Sequence, residues 1–249
     1  MRKIGIVGGV GWASTIDYYR AIAEGAGRFY AARGHVAPYP MPPMAIESVV
    51  QSQTRALRGR PGDDRSWEAF DAVFRTALIN LDRVGCAFAI IASNTPHARL
   101  ASIRKGVHLD VLSILDVTAT ATADAGAERA LVLGTSVTME ARDYALALER
   151  ECVAANTRLP DADIAEMQAM IDTDFYGGAS GQARDKLMGF IRRHAPPGTA
   201  VVLACTELPL AFPDHLDDPV FKADGYVFIN SSAAHVAAAL DRALTPSGR

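Results

Sequence analysis

Two stretches of this chain read as one object written twice: Phe88-Ala89-Ile90-Ile91-Ala92-Ser93-Asn94-Thr95 and Ala200-Val201-Val202-Leu203-Ala204-Cys205-Thr206-Glu207. Each is an apolar run of strand length that stops at a small residue with a proton on oxygen or sulfur, followed by polar residues able to open a helix. In an open parallel sheet such strand ends are where ligands sit. A second pair, Ile4-Gly5-Ile6-Val7-Gly8-Gly9-Val10-Gly11 and Ala130-Leu131-Val132-Leu133-Gly134-Thr135, repeats the theme with glycine at the strand end. Gly8 and Gly134 are 126 residues apart and Ser93 and Cys205 are 112 apart. Similar but unequal offsets in the same order describe two diverged halves with different insertions. The duplication predicts a two-sided site with Ser93 on one side and Cys205 on the other.

A chain of 249 residues can form one large domain or two of ordinary size. With 49% hydrophobic and 21% charged residues it has the composition of a globular protein. The net charge of −3 and the lack of a long basic run argue against nucleic acid as a partner. Small-molecule chemistry is the expectation. No apolar stretch approaches the roughly 18 residues that span a bilayer, so no membrane partner is expected. The first strand begins at Ile4, which leaves no room for a cleaved export signal. Cys86, Cys152 and Cys205 are odd in number and widely spaced, which fits a reducing cytoplasm and neither a disulfide framework nor a zinc site.

The pattern alternates strand and helix, the grammar of a parallel sheet with right-handed crossovers. Ser14-Thr15-Ile16-Asp17 reads as a capping box opening a helix with Ile16, Tyr19 and Ala23 on its stripe and a stop near Gly25 or Gly27. Pro38, Pro40, Pro42 and Pro43 break the chain before a short strand, Met44 to Val49. The polar segment Gln51 to Arg65, with Arg55, Arg58, Arg60 and Arg65, reads as a flexible loop over a pocket or as a solvated surface loop. Ser66 then caps a helix whose apolar face is Trp67, Phe70, Val73, Phe74, Ala77, Leu78, Leu81 and Val84, stopped by Gly85. In the second half, helices run from about Met139 to Cys152, from Gln182 to His194 and from Ser231 to Leu244, with a frayed tail from Thr245 to Arg249. The halves join near Asp110 to Thr118. The expected lobes are residues 1–112, joined by the C-terminal helix 225–245, and residues 113–224.

Cys205 is the sharpest chemical candidate. A thiol at the last position of a buried strand, with Thr206 and Glu207 opening the next element, would sit near a positive helix end that lowers its pKa. Ser93 occupies the matching position, and an alcohol needs a neighbouring base, which His97 four residues on could supply; a cap or a core hydrogen bond is the other meaning of that histidine. Cys86 and Cys152 read as inert. The glycine-rich opening does not fit G-x-G-x-x-G spacing. A tight turn at Gly9 suits close backbone approach to a small anion instead. Asn94, Thr95, Thr135, Ser136, Thr138 and Thr206 offer donors around such an anion, or serve as helix caps.

At these residues the chain resembles the aspartate/glutamate racemase family of cofactor-independent racemases. Ile4 to Gly11 with Thr15 is similar to the family's opening, and Ser93-Asn94-Thr95-Pro96-His97 to its first catalytic Cys-Asn-Thr-x-His. Leu133-Gly134-Thr135-Ser136-Val137-Thr138 is similar to its Leu-Gly-Thr-x-x-Thr, and Ala204-Cys205-Thr206-Glu207-Leu208 to its Gly-Cys-Thr-Glu-Leu. The resemblance implies an α/β fold of two pseudo-symmetric lobes, each a parallel sheet flanked by helices, with the active site in the cleft between them. It also implies a homodimer, no cofactor, no metal, and a small-molecule substrate bearing a carboxylate.

In two-cysteine members one thiolate removes the α-proton while the opposite thiol delivers one to the other face, since inversion needs a base and an acid on opposite sides of one carbon. Here the first cysteine is Ser93. The resemblance therefore implies a PLP-independent amino-acid racemase or epimerase with unequal faces, Cys205 competent and Ser93 weaker. Gly9, Asn94, Thr95, Thr135, Thr138 and Thr206 would hold the substrate, Arg55 would reach a carboxylate, and Glu207 or His97 would tune protonation. Two further departures concern the substrate: Asn230 replaces an Asp that relatives often carry before the last helix, and no lysine lies around Phe175-Tyr176-Gly177-Gly178. The alternatives are a single-thiol lyase or isomerase resembling arylmalonate decarboxylase or maleate isomerase, using Cys205 alone, and a catalytically dead ligand-binding protein.

Overall fold

The computed structural model describes residues 1–60, 62–156 and 159–245. The chain divides into two compact units, one of Met1–Ser113 with the segment from His235 onward, the other Ile114–Ala234. Among the described residues no helix is long and apolar enough to cross a membrane. Of the tail read from sequence, residues 246–249 lie outside the described residues.

The first unit runs β1 (Ile4–Gly8), α1 (Trp12–Ala31), β2 (Met44–Ser48), α2 (Gln51–Ala56), α3 (Glu68–Arg83), β3 (Phe88–Ile91) and α4 (Leu100–Ile103). Its sheet has the order β2-β1-β3, all parallel, with Ile6 opposite both Ile46 and Ile90. Val111 adds a parallel bridge to Ala89. Strands β1 and β3 are buried along their whole lengths because helices cover both faces, the condition under which a strand reads as a continuous apolar run.

The second unit runs α5 (Ile114–Asp124), β4 (Arg129–Gly134), α6 (Ser136–Glu140), α7 (Asp143–Arg150), β5 (Ala154–Asn156), α8 (Asp161–Met170), α9 (Ala183–His194), β6 (Ala200–Ala204), β7 (Val220–Ala223) and β8 (Tyr226–Asn230), and α10 (Ser231–Leu244) begins in it and belongs to the first unit from His235. The order is β5-β4-β6-β8-β7, parallel except for β7 against β8. The repeat read from the sequence is therefore present as topology within each unit. β1 lies between β2 and β3 as β4 lies between β5 and β6.

Several local expectations are corrected. α1 begins at Trp12 with Gly11 as cap, so Ser14 and Thr15 lie inside the first turn and hydrogen-bond back to the Gly11 carbonyl instead of forming a capping box. The helix passes through Gly25 and Gly27 because these glycines are close-approach positions: a side chain at Gly25 would fall on Leu240, and one at Gly27 would meet Tyr39. The stretch expected to be a loop opens with α2. Asp63, not Ser66, receives the capping N–H ahead of α3, and Val84 points to solvent while Gly85 does end the helix with φ +75°. The helix read from Met139 to Cys152 is two, α6 and α7, broken at Ala141 and Arg142. β5 and α8 were not anticipated. Residues 226–230, assigned from sequence to a helix joining the first lobe, are β8 of the second sheet, and the chain crosses into the first unit only at His235.

Gly9 has φ +82° and no room for a side chain, since a Cβ would fall on the Val49 carbonyl oxygen. Gly85 has a similar φ with open space around it. Gly9→Ala should therefore cost at least about 2 kcal/mol, and Gly85→Ala about 1 kcal/mol from backbone strain alone. Urea midpoints of the two variants measure the difference, and equal losses would contradict the close approach.

Candidate active site

In the second unit, Gly134 of β4 pairs with Ala204 of β6, so Thr135 and Cys205 emerge side by side from neighbouring parallel strands. The strands come so close that a Cβ on Gly134 would lie 2.7 Å from the Ala204 carbonyl oxygen. Thr135 stands at the start of α6, its hydroxyl 3.1 Å from that of Thr138. The Ser136 N–H is taken by Gln168 Oε1 at 2.9 Å.

Cys205 is buried, and its thiol donates to Glu207 Oε2 at 2.9 Å. The Thr206 hydroxyl donates to the same oxygen at 2.9 Å. The element that follows is only a 3-10 turn, Leu208–Ala211, with Pro209 near its start. The helix end invoked from sequence to acidify the thiol is therefore missing, because the proline and the packing of Leu208 and Ala211 into the core leave a single turn. What faces the sulfur is a carboxylate. Deeper in the same unit, burial pushes the Tyr144 phenol well above its ordinary range. Ser231, one of its hydrogen-bond partners, donates to the Leu203 carbonyl at 2.7 Å, two residues before Cys205.

In the first unit the matching strand ends are those of β1 and β3, joined where the Ala92 N–H meets the Val7 carbonyl at 3.0 Å. The Ser14 hydroxyl bridges the Gly11 and Ala92 carbonyls at 2.9 and 3.0 Å. The Gly9 N–H donates to Thr15 Oγ1 at 2.9 Å, so the glycine turn is held by Thr15 and that N–H is not presented to an anion. Ser93 is half-buried, and among the described residues its hydroxyl makes no hydrogen bond. Asn94 and Thr95 are buried, and Thr95 opens a 3-10 turn that runs to Arg99. Arg55 lies in the last turn of α2 and is exposed.

His97 does not serve Ser93. Its Nε2 faces the Ile91 carbonyl at 3.4 Å, and its ring meets His235 edge-on with centroids 5.6 Å apart. Burial, with the neighbouring His235, lowers its pKa to about 3, so it stays neutral and acts as a core hydrogen bonder. His235 accepts from the Tyr18 hydroxyl at Nδ1 (3.0 Å) and sets Nε2 against the Leu112 carbonyl at 3.1 Å, and burial lowers its pKa to about 4. A carbonyl can only accept, which assigns the proton of each ring to Nε2.

Other sequence expectations also resolve into structure. Asn230 is buried: its Oδ1 accepts from the Ala233 N–H to cap α10, while its Nδ2 donates to the Leu216 carbonyl at 2.9 Å. An aspartate could not make the second bond, so the amide fits its place. Near Tyr176, Lys186 is committed to Asp174 at 2.7 Å. Gln168 and Tyr144 were not singled out from sequence, because α8 had not been recognised and α7 had been merged with α6. Among the described residues no group of three His, Cys, Asp or Glu side chains is placed to hold a metal ion.

A family model for the Asp/Glu/Hydantoin racemases matches residues 7–239. The chain belongs to that family. The racemase also shares its fold with solved structures. A Yersinia pestis protein assigned to the Asp/Glu racemases is 25% identical with TM-score 0.78, covering 98% of this chain and 100% of that one. An aspartate racemase homologue from Pyrococcus horikoshii is 24% identical with TM-score 0.74 over the same shares. The aspartate racemase of Picrophilus torridus is 19% identical with TM-score 0.72, covering 97% of this chain and 94% of its own. As a member of this family the protein is an enzyme of the isomerase class.

The buried histidines make stability depend on pH with a definite sign. In the unfolded chain each titrates near 6.5, while the folded chain holds His97 near 3 and His235 near 4. Below about pH 6.5 the unfolded state binds protons that the folded state refuses, so stability falls from there down to about pH 4, by up to about 1.4 kcal/mol per pH unit for each ring. Urea melts at pH 7, 6 and 5 should show that slope. His235→Gln, which keeps a donor for Leu112, should flatten it, and an unchanged slope would contradict the assignment.

Proposed function

We propose that the racemase inverts the α-carbon of an amino acid without pyridoxal phosphate, Cys205 exchanging a proton with one face and Ser93 with the other. The observation that carries this reading is the 2.9 Å hydrogen bond from the Cys205 thiol to Glu207. The thiol proton already points at a carboxylate oxygen, so its transfer leaves a thiolate with no rearrangement of either side chain. The thiolate takes the α-proton and the bonding pair moves into the substrate's carboxylate, giving an ene-diolate. Negative charge then builds on the carboxylate oxygens, where hydroxyl and amide donors from Thr135, Thr138, Thr206, Asn94 and Thr95 stabilise it more than in the ground state. The Ser93 hydroxyl donates to the opposite face, and the alkoxide left behind regains its proton from solvent. Arg55 supplies a cation for a carboxylate, and the enzyme works as a homodimer in the cytoplasm.

The two faces are chemically unequal. An alcohol gives up its proton far less readily than a thiol, so return through Ser93 is the slower half-reaction. A second reading, single-face chemistry of the lyase or decarboxylase type through Cys205 alone, is favoured by one observation: the Ser93 hydroxyl has no base hydrogen-bonded to it among the described residues.

Following α-hydrogen exchange and inversion together in D2O, across a panel of L- and D-amino acids, separates these readings. For the enantiomer whose α-proton faces Cys205, exchange should outrun inversion. Cys205→Ala should lower exchange by about 10³-fold or more, Ser93→Ala should spare exchange while cutting inversion by about 10²-fold, and Ser93→Cys should raise inversion. If no amino acid exchanges above the Cys205→Ala background, racemisation is ruled out. Inversion that survives Ser93→Ala assigns the second proton to another group.

A further inference from the structure

Arg99 closes the 3-10 turn that begins just after Asn94 and bonds to two aspartates. Its guanidinium forks onto Asp71 of α3, with Nε to Oδ1 at 3.3 Å and Nη2 to Oδ2 at 2.9 Å. Nη1 reaches Asp64 at 2.5 Å, and the plane lies 5.6 Å from the centre of the Trp67 ring. The arginine side chain is 15% exposed and that of Asp71 4%, whereas that of Asp64 is 90% exposed. The Asp71 arm is thus an internal brace. The Asp64 arm contributes little to folding, since water screens an ion pair with one partner fully exposed.

What Asp64 does hold is the chain between α2 and α3. Trp67 Nε1 donates to the Arg60 carbonyl at 3.0 Å, and the Arg60 N–H donates to Ser66 Oγ at 2.7 Å. These bonds fold residues 57–60 and 62–67 into a strap around Ser66 and Trp67. At the far end of the segment, beyond α2, the Val49 N–H is fixed to the Gly8 carbonyl at 2.9 Å. The segment therefore starts at the carboxyl end of β1 and finishes on the turn that follows β3. Both are ligand positions of a parallel sheet, and the segment carries Arg55, Arg58, Arg60 and Arg65.

We infer that Arg99 is a positioning residue: through Asp64 it pins this arginine-bearing strap to the turn that carries Asn94 and Thr95, and so sets the affinity for the substrate's carboxylate. The inference rests on the racemase reading above. A strap ordered before binding spares the substrate the entropy of ordering several arginine side chains, which appears as a lower KM and leaves the proton transfers untouched. Arg99 holds the Asp64 carboxyl below the usual carboxylate range, so the pin is intact at neutral pH.

The test is Asp64→Asn in the full chain, with Arg99→Lys beside it to keep the charge and lose the fork. Asp64→Asn should leave the melting temperature unchanged, speed tryptic cleavage after Arg58 and Arg65, and raise KM for the fastest-exchanging amino acid about fivefold or more while kcat stays within about twofold. Arg99→Lys should move KM and cleavage in the same direction. Cleavage at the wild-type rate, or faster cleavage with an unchanged KM, overturns the inference. Should the wild type exchange no amino acid, the racemase reading fails on its own, and the inference about affinity falls with it, whatever the digestion shows of the pin.

Discussion

The parallel pairing of β1 with β3, and of β4 with β6, is the constraint from which the rest of the molecule follows. Parallel strands share a direction, so their carboxyl ends emerge together, and side chains distant in sequence become neighbours without any loop having to place them. The pairing has requirements of its own. Both faces must be covered, which makes the strands apolar throughout, and the ends must be small where backbones converge, which fixes glycine at Gly134 against β6 and at Gly9 against the chain leaving β2. The polar residues can begin only where the strand stops, and that is where Ser93 and Cys205 stand.

The same scaffold has been fitted with different chemistry in each unit. In one, the thiol of Cys205 shares a carboxylate with the Thr206 hydroxyl, giving a proton donor with its acceptor in place. In the other, the hydroxyl of Ser93 is followed by a turn braced from behind by two neutral histidines and a tyrosine. Burying imidazoles is tolerable only because each ring proton meets a backbone carbonyl and Tyr18 covers the bare nitrogen of His235. The cost falls on acid stability. The gain is a rigid base for Asn94 and Thr95, with Arg99 closing the turn on its outer side.

The strands β1, β3, β4 and β6 and their chemical ends were legible because the signal lies in consecutive residues: a buried parallel strand is a short unbroken apolar run, and the change to polar residues marks its end. The long helices α3, α9 and α10 were legible from their stripes. Elements decided by partners distant in sequence were misread. Gly25 looks like a helix stop until Leu240 is seen against it, and Ser14 looks like a cap until its hydroxyl is seen bridging to Ala92. α8 shows no one-sided apolar stripe in its sequence, since the exposed Ala162, Ala165 and Ala169 put apolar residues outside the face buried by Ile164, Met167 and Met170. His97 illustrates the same limit within the site: four residues from Ser93 it suggests a base, but its ring turns inward to Ile91 and His235, which is 138 residues away in the chain.

The sequence by itself determined the family, the strands β1, β3, β4 and β6, and the identity of the two residues with exchangeable protons that follow β3 and β6. These follow from local composition, because burial on both faces and chemical competence are written into neighbouring residues. Only the tertiary structure decided which group each of those residues answers to: a carboxylate for the thiol, no side-chain partner among the described residues for the alcohol, and neutral histidines turned away from it. Those relations depend on orientation and burial, which arise when distant segments pack and have no counterpart in the order of residues along the chain.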